Sequence, residues 1–208
     1  MSSLGGSIII AMRIRPRCPV WAGLAFLSLV LVSPGLAVAQ QQSFVLDPRK
    51  TTITLALDAS LHTVHGTFRA TGGSIRFDPA SGAASGSIVV DASSGDTGNS
   101  MRDHKMHKEV LESDRFPEIS FSLARIAGTV ADGSTVRAEG TLHIHGDNHP
   151  VTLSVPIEIH GDVLTAKLEF QIPYVAWGMK NPSTFVLRVS KEVEVEVVAV
   201  GRLEERPH

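Results

Sequence analysis

Leu164-Thr165-Ala166-Lys167-Leu168-Glu169-Phe170-Gln171-Ile172 carries an apolar residue at every even position and Thr, Lys, Glu or Gln at every odd one. Side chains of an extended chain point alternately to opposite faces, so this run reads as a strand with one buried and one solvated face. The same period recurs on both sides of it. Upstream, Ile53, Leu55 and Leu57 share a face, as do Val64, Gly66 and Phe68, then Ile75 and Phe77, Ile119, Phe121 and Leu123, Leu142 and Ile144, and the odd positions of 151–159. Downstream, Phe185, Leu187 and Val189 oppose Arg188 and Ser190, and Val193, Val195 and Val197 oppose Glu194 and Glu196.

Turn signals at Gly72-Gly73, Asp78-Pro79, Asp132-Gly133, Gly146-Asp147-Asn148 and His160-Gly161-Asp162 divide these runs. Connections this short join antiparallel neighbours. The alternation fails between Asn99 and Glu112. There Ser100, with Asp103 three residues on, predicts a helix start and one short inserted helix over about 101–111. About eight strands, each apolar on one face, must close into a barrel or pair as a sandwich, and period alone does not separate the two. A barrel removes exposed edges, and at about eight strands its interior holds packed side chains or one small ligand. An outer-membrane barrel, with its faces reversed, is disfavoured: aromatic residues make up only 5% of the chain, and the charged stretch Leu203-Glu204-Glu205-Arg206 lies near its end.

At the other end, Arg13, Arg15 and Arg17 precede an apolar run over 20–32, followed by Ser33-Pro34-Gly35 and Ala37-Val38-Ala39. This is the layout of a secretory signal peptide cleaved after Ala39. The expectation is export to the periplasm or beyond, with residues 1–39 removed and 40–208 forming one domain. A start at Met1 or at Met12 gives the same mature chain. The leader holds three of the 19 basic residues, none of the 21 acidic ones, and the single cysteine, Cys18. The remaining 16 basic and 21 acidic residues give a net charge of −5, which disfavours nucleic acid and anionic membrane surfaces as partners. With Cys18 gone, the mature chain has no disulfide, thiolate nucleophile or cysteine metal ligand.

Three blocks then occur in order along the mature chain. Leu61-His62-Thr63-Val64-His65-Gly66-Thr67-Phe68 is similar to the H-x-V-x-G-x-F segment of the YceI-like proteins. Asp96-Thr97-Gly98-Asn99-Ser100-Met101-Arg102-Asp103 is similar to their D-T-x-N-x-x-R-D signature, followed by a family-like F-P-x-I-x-F at 116–121. Gly140-Thr141-Leu142-His143-Ile144-His145-Gly146 resembles their G-x-L-x-I-x-G hairpin. The resemblance covers about 44–201. It implies an all-β, lipocalin-like antiparallel barrel that binds a polyisoprenoid, such as an isoprenoid quinone, in a hollow interior. The chain departs from the family at Lys105-Met106-His107-Lys108-Glu109, where His-Leu is common. It departs again over 174–183, where the family carries an Arg and a Gly near a Phe. Both stretches bear on one end of the cavity.

If the barrel is hollow, its candidate walls are Val64, Phe68, Ile75, Phe77, Phe121, Leu142, Ile144, Phe170 and Phe185, with Trp177 near an end. The residues alone are equally compatible with a solid core; the resemblance is what points to a cavity. Asp96, Asn99, Arg102 and Asp103 either pin a loop or meet a head group. Satisfying free backbone N–H groups at a helix start is the commoner use of such residues. Arg102 and Lys180 are the cations placed to reach a head group. His62 with His65, His104 with His107, and His143 with His145 are spaced for a shared metal, but no carboxylate or third histidine completes a catalytic zinc spacing. No G-x-S-x-G elbow or phosphate-cradling glycine loop is present. The sequence thus reads as a non-catalytic lipid binder, a monomer or homodimer, not an integral membrane protein, and without a cofactor beyond the bound lipid or quinone. Two alternatives stand beside it: an exported, stress-related structural barrel with a solid core, and a histidine-based metal binder.

Overall fold

The computed structural model describes residues 41–185 and 188–205. The leader over 1–39 and Leu187 of the expected strand near 185 lie outside them. Nine strands form one antiparallel sheet: β1 (Gln42–Leu46), β2 (Thr52–Asp58), β3 (Thr63–Phe77), β4 (Ala84–Asp96), β5 (Glu118–Ala127), β6 (Thr135–Ile144), β7 (Asp147–His160), β8 (Val163–Ile172) and β9 (Val193–Glu205). From β3 to β9 each strand pairs with the next in a meander. The ring closes through β1 and β2, which lie end to end in the gap between β3 and β9. β1 pairs with β3 at Phe44↔Ile75 and with β9 at Phe44↔Leu203. β2 pairs with β3 at Ile53↔Phe68 and with β9 at Ile53↔Val197. Nine strands therefore fill eight positions of a closed barrel, with no unpaired edge along the ring.

Two-residue hairpins join β6 to β7 and β7 to β8, as the pairs Ile144↔Asp147 and His160↔Val163 require. At the first, His145 and Gly146 both have positive φ (54° and 83°), the backbone of a type I′ turn whose twist matches that of the strands. Gly72-Gly73 is not the turn that the sequence suggested. The pair sits inside the 15-residue β3, where the register with β4 shifts between Ala70 and Gly72. This bulge moves the inward face from Val64, Gly66, Phe68 and Ala70 to Ile75 and Phe77, so the even and odd runs belong to one bent strand. The glycine is needed because β4 comes too close for a side chain: a Cβ at Gly73 (φ 140°) would stand 2.2 Å from the Ser87 carbonyl oxygen.

β1 and β4 were not among the sequence-read strands, and the strand expected at Phe185, Leu187 and Val189 is absent from the described residues. Phe185 and Val189 belong to the connection between β8 and β9, where Val189 forms a single bridge to Ala59. The inserted helix is α1 (Ser100–Lys105), continued by a wider π turn (Met106–Val110). Its N-cap is Asn99 rather than Ser100: with extended backbone, the Asn99 side chain accepts from the N–H groups of Met101 and Arg102.

The outer face is charged. Lys167 pairs with Glu158 at 2.9 Å, and Arg69, Arg76, Arg137, Glu194 and Glu196 are exposed. A barrel turned toward lipid would carry apolar residues there. Among the described residues no helix is long and apolar enough to cross a membrane. The close approach at Gly73 yields a test: Gly73→Ala lowers unfolding stability by about 1–3 kcal/mol in urea denaturation, whereas an unchanged midpoint would mean that the strands can spread there without cost.

Candidate functional site

The inward side chains do not fill the barrel. They line a cavity of about 700 Å³, more than four times the ~150 Å³ that houses a benzene ring in an engineered protein cavity. Lining residues run along β8 from Leu164 to Ile172, about 26 Å of strand at ~3.3 Å per residue, so the space is elongated. Its wall is almost entirely apolar, and among the described residues no Asp or Glu lines it. Because they face empty space, Phe68, Phe121, Phe170 and Val195 are only half-buried, and among the described residues no large side chain is completely enclosed. The solid-core alternative does not match this interior.

Glycines facing inward help to keep the space open. A Cβ at Gly95 would stand 2.8 Å from Phe68 Cζ, one at Gly140 2.7 Å from Phe121 Cζ, and one at Gly201 2.5 Å from Phe44 Cε2. Each ring thus lies against a stretch of wall that has no side chain of its own. A larger residue in place of the glycine would push the ring away from that wall. At Gly95 the close neighbours are side chains alone, Met106 and Phe68, so a methyl group there displaces a thioether end and a ring and not backbone.

Of the residues that line the cavity, His62, Asn99, Met101 and Thr184 are exposed to solvent. All four lie at one end, which marks the mouth. Three segments surround it: the β2–β3 turn, α1 with its π turn, and the long connection from β8 to β9. They are tied together. Ser60 N–H donates to the Arg188 carbonyl at 2.9 Å, Lys105 Nζ to the Pro182 carbonyl at 3.1 Å, and Lys180 Nζ to Glu109 Oε2 at 2.6 Å. The bond and charge of Lys180 hold the Glu109 carboxyl below its usual range. Under the connection, Tyr174 and Met179 pack on Leu142, Ile144 and Ile172. Tyr174 donates to the Ser190 carbonyl at 2.6 Å, and burial pushes its phenol up.

The 96–103 motif pins its own loop. Asp103 Oδ1 accepts from Thr97 N–H at 2.9 Å and Thr97 Oγ1 at 2.5 Å. Arg102 donates from Nε to Thr97 Oγ1 at 2.6 Å and from Nη2 to the Thr97 carbonyl at 2.7 Å. Asp96 accepts from Gly98 N–H at 2.7 Å. Burial raises the Asp103 carboxyl, but the two Thr97 bonds, Arg102 and His107 outweigh it and hold the group below its ordinary value of 3.8. Of the four motif residues, Asn99 and Arg102 border the cavity, while Asp96 and Asp103 do not.

Val64, Phe68, Ile75, Phe77, Phe121, Leu142, Ile144 and Phe170 line the cavity. Trp177 does not. It lies on the end cluster, stacked on His149 with ring centroids 3.9 Å apart and planes 6° from parallel. Phe185 is 96% exposed and forms no part of the wall, because its segment is a loop and has no inward face. Lys180 is engaged by Glu109; Lys105, not singled out from the sequence, is the lysine that reaches the cavity. Sequence reasoning also missed Phe44, Ile88 and Val90, which lie on the unread strands β1 and β4. Three of the paired histidines have other neighbours. His107 faces the Gly95 carbonyl at 2.9 Å, His143 pairs with Asn148 at 3.0 Å, and His145 lies against Phe116 and 3.4 Å from Glu112. Among the described residues no three metal-binding side chains come together.

Comparison with known proteins extends this picture. A family model described as the YceI-like domain matches residues 44–200. A comparison with curated proteins finds no match. Among solved structures, BcnA of Burkholderia cenocepacia is 23% identical with a TM-score of 0.62, over 74% of this chain and 98% of that one. A polyisoprenoid binding domain from Saccharophagus degradans, implicated in plant cell wall breakdown, is 16% identical with a TM-score of 0.61, over 77% and 98%. The YCEI protein of Campylobacter jejuni is 18% identical with a TM-score of 0.54, over 72% and 88%. At these identities the three share the fold with this chain.

Two predictions follow from the geometry. Gly95→Ala narrows the lumen and reduces uptake of a bulky apolar dye several-fold in fluorescence titration, without unfolding the barrel; unchanged uptake would mean that Phe68 and Met106 have room to move aside. Asp103 has a depressed pKa in the folded state, so its contribution is full above the unfolded value near 3.8 and is lost as pH falls through the lower folded value. Asp103→Asn is therefore less stable than the parent at neutral pH, and the difference in thermal midpoint shrinks as pH is lowered below about 4. A difference that stays constant with pH would contradict this role.

Proposed function

The chain belongs to the YceI-like family, and from that membership we propose that it binds, sequesters or transports a polyisoprenoid or similar lipid, such as an isoprenoid quinone, by reversible burial in the lumen and without catalysis. The observation that carries this reading is the cavity: elongated, about 700 Å³, apolar along its walls and open at one end. A hydrocarbon chain moved from water into such a space gains about 0.8 kcal/mol per buried CH₂. No precisely placed polar group is needed for that gain, in keeping with a wall that has no carboxylate among the described residues and a motif whose polar groups satisfy one another. The family relationship and the polyisoprenoid binding domain of the same fold support the class of ligand.

The same proposal includes export to the periplasm or beyond, with the leader removed near Ala39, because the basic residues, apolar run and small residues of 1–39 are arranged as in a secretory signal. It takes the working form to be a monomer or homodimer.

Mass spectrometry of organic extracts from protein purified out of its native compartment tests the reading. One lipid per chain is expected, and repeated empty extracts would overturn it. Phe68→Asp or Phe170→Asp places a carboxylate in the lumen, where an apolar guest cannot solvate it. Either variant, checked for retained β-sheet circular dichroism, should lose uptake of an apolar dye by roughly tenfold or more, and parental uptake in a folded variant would contradict the lumen as the binding site.

A further inference from the structure

Large apolar side chains are left in water at the mouth. Leu61 is 80%, Met101 83% and Phe185 96% exposed; among the described residues, the other large hydrophobic side chain that stands out is Val45, at 38%. The three sit on three different segments, yet each adjoins a lining residue that opens to solvent: Leu61 precedes His62, Met101 is itself such a residue, and Phe185 follows Thr184. The bonds from Ser60 to Arg188 and from Lys105 to Pro182 bring these segments around one opening. A rim of this kind, continuous with an apolar lumen, has no role in holding the barrel together.

Charge is also distributed from end to end. Around the mouth (59–62, 97–117, 173–185 and 188–192), seven Lys and Arg stand against five Asp and Glu. In the loops at the other end (78–83, 128–134 and 161–162), no Lys or Arg stands against three Asp. The mouth is therefore +2 and the loops of the opposite end −3, and the net charge of −5 expected for the mature chain hides this asymmetry.

We infer that the mouth rim is a docking surface for a phospholipid bilayer, with Leu61, Met101 and Phe185 entering the interfacial layer so that the lumen opens toward lipid. The inference rests on the lipid-binding reading of the lumen. A guest that lives in a bilayer must leave it, and a rim seated in the interface lets the guest pass between two apolar media without crossing water. Exposed aliphatic and aromatic side chains drive such seating, and the positive end turns toward an anionic surface.

Vesicle flotation tests this, using phosphatidylethanolamine mixed with phosphatidylglycerol and, in parallel, phosphatidylcholine alone. The native protein is expected to float with both, more strongly with the anionic vesicles. The double variant Leu61→Ser with Phe185→Ser, which leaves the lumen wall untouched, should lose roughly tenfold or more of its vesicle binding. It should still take up anilinonaphthalene sulfonate as the native protein does. Native protein that takes up the dye but ignores both vesicles overturns the docking surface and leaves the lumen reading standing. Vesicle binding unchanged in the double variant overturns it as well. So does a native dimer, seen by ultracentrifugation, that the double substitution converts to a monomer, because a second copy then covers the rim. Failure of native protein to take up the dye counts instead against the lumen.

Discussion

Closure of the hydrogen-bonded ring is the constraint on which the rest of this structure depends. Once β1 and β2 fill the gap between β3 and β9, every strand has a neighbour on each side, and the inward row of side chains has no second layer to pack against. A sandwich would bring another sheet to meet those residues. In a ring of eight positions, side chains that crowd inward can fill the centre, and otherwise it has room for one small ligand. Here they do not. Phe44, Phe68 and Phe121 lie over inward-facing glycines, and the centre is left open.

The two ends of the barrel differ for the same reason. At one end the hairpin from β7 to β8 is tight, while at the other the inserted α1 and the long connection before β9 supply enough chain to arch over the opening. That chain must satisfy its own backbone, and the 96–103 motif does so. Thr97 is held from one side by Asp103 and from the other by Arg102, and Asn99 caps the helix that follows. The motif's polar groups are mostly spent on one another. The interior therefore offers a guest apolar contact above all, with Asn99, Arg102 and Lys105 bordering the mouth.

Much of this was legible in the sequence, and the lapses have physical causes. Strands such as β8, with one clean face in and one out, declare themselves by alternation. β4 does not: Ile88, Val89 and Val90 run together, and Ser and Gly flank them, so the period is lost. Gly72-Gly73 carries a turn composition, yet it serves a bulge where two strands nearly touch; only the distance to Ser87 distinguishes the two uses. Phe185 alternated convincingly with its neighbours, but so short a run carries no information on whether a partner strand exists. Asn99 was grouped with the motif, while its role as the cap went to Ser100, one residue along. Alternation could not reveal whether the lumen was filled or open. That depended on which inward positions were glycine and on where the rings of their neighbours came to rest.

The central claim, that an open apolar lumen takes up a hydrocarbon chain, is tested most directly by titrating the protein with a series of isoprenoid alcohols of increasing length. The account predicts that affinity climbs steadily with each added unit, by up to about fourfold per buried CH₂, and then levels off when the chain exceeds the length of the lumen. Affinity that is indifferent to chain length would contradict it.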